Sequence, residues 1–176
     1  MELDPKHIQQ LLAATPDLPE NAALVSALME LLNDASIEKY AFSYNAVFWT
    51  TGAANNIAAG GVATTNVQID AGAPFLIVTQ SYDANTLGAA RAPATLTVPN
   101  ALVLLTDTGS SRQLMDVATP VANIFGTGQF PYILPVPKLM AANSQLQVQV
   151  TNVDVAAGFN LRLSFNGYKL YKSGRR

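Results

Sequence analysis

Gln145-Leu146-Gln147-Val148-Gln149-Val150-Thr151 decides the fold class of this 176-residue chain. Leu146, Val148 and Val150 alternate with three glutamines and a threonine. This period of two puts every apolar side chain on one face of a strand and leaves an uncharged polar face opposite. The same period returns in residues 159–171, where Leu161, Leu163 and Phe165 alternate with Arg162 and Ser164. Asn166-Gly167 within that segment fits either a two-residue type I′ turn or a bulge in one long strand.

Upstream, Tyr40, Phe42, Tyr44, Ala46 and Phe48 fall on one face of a strand, with Val47 and Trp49 on the other. The alternation predicts ordinary core packing for these aromatics rather than a stacking platform. Residues 52–63 are small-sided and glycine-rich and predict a loop. Further strands are predicted over 64–70, 74–83, 95–106 and 111–117. The prolines at 120, 131, 135 and 137 confine residues 120–138 to edge or irregular extended structure, because proline cannot donate to a ladder. Seven or eight short strands with no helical pattern between them predict an antiparallel β-sandwich, with jelly-roll topology as the refinement.

Residues 1–38 read differently. Asp4 caps and Pro5 opens a first helix whose Ile8, Leu11 and Leu12 share a face. Thr15-Pro16 ends it. A second helix carries Leu24, Ala27, Leu28, Leu31 and Leu32 as a continuous apolar stripe. The expected organisation is therefore an N-terminal two-helix arm over 1–38 and a β-sandwich domain over 39–176. The stripe needs a surface, which either the chain's own β domain or a neighbouring subunit can supply.

Charge is distributed unevenly. Residues 40–168 hold nine charged side chains, no Glu, no His and no Cys, whereas residues 1–39 carry a net −5 and residues 169–176 a net +4. A middle so poor in titratable groups predicts a module that binds rather than one that catalyses. With His7 as the single histidine and no cysteine, paired-histidine, HExxH and thiolate metal sites are excluded. Ser110, Ser111 and Ser164 lack a nucleophile-elbow context, and Gly126-Thr127-Gly128 reads as a turn rather than a phosphate cradle. Asp70, Asp83, Asp107 and Asp116 stand singly beside turn residues, where capping and turn roles are the default. No cofactor, metal or catalytic residue is expected. The pI near 5.2 argues against nucleic acid, and no apolar run is long enough to span a membrane as a helix. Met1–Asp4 is not read as a signal peptide, so a protein made in the cytoplasm is expected.

Phe130-Pro131-Tyr132-Ile133-Leu134-Pro135-Val136-Pro137, then Leu146–Asn152, then Leu161–Tyr171 (LRLSFNGYKLY), resemble small β-sandwich virion proteins of tailed bacteriophages. These are auxiliary head proteins such as capsid decoration proteins, and related neck components. The resemblance covers roughly the last 45 residues well and the earlier strands loosely. It brings no catalytic residues. It implies a homo-oligomer, often a trimer, on the outer surface of a capsid, bridging major capsid subunits in the virion. On that reading Leu24, Leu28, Leu31 and Leu32 dock the arm, and Pro131, Pro135 and Pro137 mark an intersubunit edge. The alternatives are a head–tail neck or collar component, and a carbohydrate-binding sandwich.

Overall fold

The computed structural model describes residues 33–49, 57–86, 96–109 and 112–172. The chain divides into two compact units, Met1–Ile37 and Glu38–Arg176. The two-helix arm expected within 1–38, with Leu24, Leu28, Leu31 and Leu32, lies outside the described residues, which begin at residue 33. At the start of the described chain, the Ser36 N–H donates to Asp34 Oδ1 at 2.8 Å and the Ile37 N–H to the Asp34 carbonyl at 3.2 Å.

The elements follow as β1 (Ile37–Phe48), β2 (Val62–Gln68), β3 (Phe75–Thr86), β4 (Ala101–Asp107), β5 (Arg112–Gln113), β6 (Thr119–Pro120), α1 (Val121–Ile124), β7 (Gly126–Thr127), β8 (Tyr132–Met140), β9 (Gln145–Asn152) and β10 (Phe159–Lys172). They form two five-stranded sheets. One runs β1-β10-β3-β7 with β8 also on β3, and the other runs β2-β9-β4-β5 with β6 also on β4. All pairings with a described register are antiparallel except the short β3–β7 contact. The mainly β, two-sheet architecture read from the alternating pattern is therefore present.

β9 shows why. Leu146, Val148 and Val150 are all buried, and their register partners are Val67, Thr65 and Ala63 on β2 and Asp107, Leu105 and Val103 on β4. On the other sheet Leu161, Leu163 and Phe165 of β10 lie opposite Ala84, Tyr82 and Gln80 of β3. Apolar side chains of both sheets, with Val121 of α1, Phe125 and Met140, join in one buried cluster. A single core of this kind supplies most of the free energy that opposes chain entropy.

Several segment boundaries differ from the sequence reading, each for a physical reason. Ile57, expected in a loop, is 1 % exposed and bridges Phe159. One large apolar residue in a small-sided stretch is enough to anchor it. β3 continues to Thr86, so Asp83 sits inside a strand opposite Arg162 rather than at a turn. Cross-strand pairing of opposite charges makes that position favourable. Residues 114–117, expected in a strand, are bends, and of that expected strand Arg112–Gln113 is the described part that pairs with β4 as β5. Gly126-Thr127 forms β7 rather than a turn, beside Ser81 and Tyr82 of β3. A Cβ at residue 126 would collide with the Phe130 carbonyl, so only glycine fits there.

Asn166-Gly167 is not a hairpin turn. β10 runs unbroken to Lys172, and the register against β3 shifts between Asn166 and Gly167, because Val78 of β3 is the extra residue between Thr79 and Ile77. The bulge reading holds.

Candidate functional site

Two features of the β domain gather polar chemistry. The first is a cavity of about 450 Å3 between the β3–β8 edge of one sheet and the β4–β5 edge of the other. Its origin lies in the prolines. β8 pairs with β3 at Tyr132 and Ile133, then again from Lys138 to Met140, and the four residues between oppose the single residue Val78. Pro135 and Pro137 cannot donate to a ladder, the stretch containing them has no register partner on β3 apart from Val78, and Leu134, Pro135 and Val136 line one side of the cavity. Ile77, Leu105 and Leu146 provide apolar wall, and Arg112, Lys138 and Gln80 reach the same space. No Asp or Glu lines it.

The second feature is the aromatic end of β1. Tyr44 stacks edge-on against buried Phe75, Phe42 against Tyr44, and Tyr40 against Tyr171, with ring centroids 4.8, 4.8 and 5.5 Å apart. Lys169 Nζ lies 3.9 Å from the Phe42 ring centroid, a cation–π geometry, and 2.9 Å from Asp70 Oδ2. The Asp70 N–H donates to Tyr44 Oη at 2.9 Å. The expected core packing holds for Phe48, which is buried, and in part for Tyr44, but Tyr40 and Phe42 stay about half exposed.

Asp70 is held below the ordinary aspartate value of 3.8, first by the Gly72 N–H that its carboxylate accepts and then by Lys169. Lys169 is correspondingly raised above 10.5 by its hydrogen bond to Asp70. A carboxyl whose folded-state value is depressed stabilises the fold above its unfolded value, and that contribution is lost as the pH falls through the folded value. Asp70→Asn is therefore expected to be less stable than the parent near neutrality. The two urea midpoints should converge as the pH falls below 3.8 and through the depressed folded-state value. Parallel midpoint curves across that range would show that the pair contributes nothing.

The other carboxylates serve turns. Asp107 Oδ1 accepts the Gly109 N–H at 3.1 Å, and Asp154 Oδ1 accepts those of Ala156 and Ala157 at 2.8 and 3.2 Å. Among the described residues, no group of three His, Cys, Asp or Glu side chains converges as a metal site would require. His7, Ser110 and Ser111 lie outside the described residues. Pro131 is exposed just before β8, Pro135 is exposed on the cavity lip and Pro137 is half-buried beside it, so the three share one edge of one sheet.

Sequence reasoning missed the grouping of Gln80, Arg112 and Lys138. They belong to β3, β5 and β8, and only the strand register brings them together. No family model, curated protein or solved structure matches the chain.

Proposed function

We propose that this chain is a structural virion protein of a tailed bacteriophage, a capsid decoration protein that binds the outer head surface as a homo-oligomer, with trimer as the expected state. The observation that carries this reading is an asymmetry in how the sheet edges are protected. Exposed sheet edges invite pairing with another chain, and proteins blunt them with charge, proline, bulges or short strands. The β8 edge has all of these except shortness, through Pro135, Pro137, Lys138 and the bulge. β5 and β6 are two residues each and carry Arg112 and Pro120.

The opposite edges have fewer: β1 carries Glu38 and Lys39 at its start, and beyond them none of these devices appears. Among the described residues β1 pairs only with β10, and β2 only with β9. Ala41–Phe48 and Val62–Gln68 contain no charge and no proline. The outer face beside β1 is uncharged around Ser43 and Asn45, and Arg162 of β10 is exposed further along it. Ser43 Oγ donates to Asn166 Oδ1 and Ser164 Oγ to Asn45 Oδ1, each at 2.7 Å. Such a surface can be covered by protein without the desolvation cost of buried charges.

The strand order supports the jelly-roll refinement. β1 neighbours β10, β2 neighbours β9 and β3 neighbours β8 in nested pairs, with consecutive strands β1 and β2, and β3 and β4, falling in different sheets. Virus capsid domains are frequent users of that topology. On this reading β1 supplies backbone pairing to a neighbour, and the Pro131, Pro135 and Pro137 edge supplies side-chain contact. The N-terminal two-helix arm docks through Leu24, Leu28, Leu31 and Leu32, and the partner is the major capsid protein.

The test is assembly. The purified chain is expected to sediment as an oligomer and to bind preformed capsid shells in many copies. Val47→Lys places a charge on β1 at a position already 40 % exposed, so the fold should survive while self-association weakens at least about tenfold. A parent protein that stays monomeric and binds no shell removes the proposal. About a dozen copies confined to one vertex would instead point to a neck component. The half-exposed Tyr40 and Phe42 support one rival, sugar stacking. Lys169 already covers part of the Phe42 ring, and Trp49 fluorescence indifferent to added glycans would eliminate it.

A further inference from the structure

We infer that the cavity between β3, β8 and the β4–β5 edge is a binding site for an amphiphilic anion: one oxyanion head, carboxylate or phosphate, on an aliphatic body. Its volume of about 450 Å3 lies within the ~300–1,000 Å3 typical of small-molecule pockets. Its composition selects the class. Two cations, Arg112 and Lys138, enter a space that no carboxylate lines, and neither forms an ion pair among the described residues. Two positive groups facing one cavity repel each other, and an anion between them turns that repulsion into attraction. The Arg112 guanidinium presents paired N–H donors that match either head group, and Lys138 adds a mobile point charge.

Gln80 is the independent observation. It is 5 % exposed, it lines the cavity, and its side-chain amide makes no hydrogen bond among the described residues. Because Gln80 borders open space and no described group bonds its amide, that amide can donate to or accept from a ligand. The Ile77, Leu105 and Leu146 walls give an aliphatic body an apolar surface to cover. Position matters as well. Lys138 stands opposite Ile77 and Arg112 opposite Asp107, so a bound anion would tie the proline-bulged lip of one sheet to the short edge strand of the other. The inference does not depend on capsid binding, and ligand binding is measured on the isolated chain.

The experiment is a titration of the full chain with octanoate and with octyl phosphate, followed by calorimetry and by methyl NMR of the cavity residues. At least one of the two is expected to bind saturably at one site, with shifts at Ile77, Leu105 and Leu146. Whichever head binds more tightly identifies the natural one, and either order supports the class. Arg112→Gln and Lys138→Gln are each expected to weaken binding at least tenfold. Octanol, with a similar body and no charge, should bind at least tenfold more weakly than the preferred anion. Both variants change side chains at the cavity mouth, and unchanged circular dichroism would show that they fold. Saturable binding of neither anion overturns the inference. So does octanol binding as tightly as the anions, or affinity unchanged in both folded variants, since each would mean an apolar cleft without anion recognition.

Discussion

Phe165→Ala is expected to lower the free energy of unfolding by about 3–5 kcal/mol, the range for truncating a fully buried aromatic. Phe165 is 1 % exposed and lies opposite Gln80 at the middle of the β10–β3 pairing. Its ring meets Phe125 edge-to-face at 5.6 Å, an arrangement that adds to simple area burial. Strands on both sides are hydrogen-bonded in place, so they cannot collapse to fill the void, and the cavity term adds to the transfer term. Urea unfolding is the measurement, read as a shift in midpoint at constant slope. Phe165→Leu retains much of the volume and should cost less than half as much. A loss under about 1 kcal/mol for the alanine variant would mean that Phe165 does not occupy the centre of the core.

Gly167→Ala should cost about 3 kcal/mol, at the upper end for overpacking. At the β-bulge the two strands approach so closely that a Cβ at residue 167 would run into the Leu76 carbonyl. Backbone cannot rotate away as a side-chain tip does, so the added methyl must push β10 off β3 and weaken their ladder. Leu76 is fully buried, which leaves little room for the displacement. Gly128→Ala is the control: a Cβ there meets nothing within 4 Å, and its effect should stay within about 0.5 kcal/mol. Equal effects at the two glycines would mean that close approach to Leu76 does not set the cost at residue 167.

These two positions also show how unequally the fold can be read from the chain. Leu161, Leu163 and Phe165 announce an inward face through alternation alone, because side-chain direction in a strand is a local property of the backbone. Gly167 does not announce its role. Asn166-Gly167 satisfies a hairpin turn and a bulge equally well on local grounds, and the choice depends on Val78, which belongs to another strand. Asp83 failed for the same reason, since Arg162 across the ladder makes a charged residue acceptable inside β3. Tyr40 and Phe42 share the phase of Phe48 yet remain half exposed. Phase sets which face a side chain occupies, while burial depends on whether the opposite sheet extends that far.

The candidate sites divide along the same line. Poverty of titratable groups between residues 40 and 168, and prolines that take a strand out of its ladder, are properties of composition and covalent structure, and they were legible directly. So was the two-sheet class, because a repeated period of two gives each strand one apolar face, and two sheets packed face to face bury those faces against each other. Which edges stay unguarded is different, since it depends on which strands end next to nothing. The meeting of Gln80, Arg112 and Lys138 around one cavity is different too. Those depend on pairings between residues far apart in the chain, chosen by the packing of the whole core, and no local signal records them.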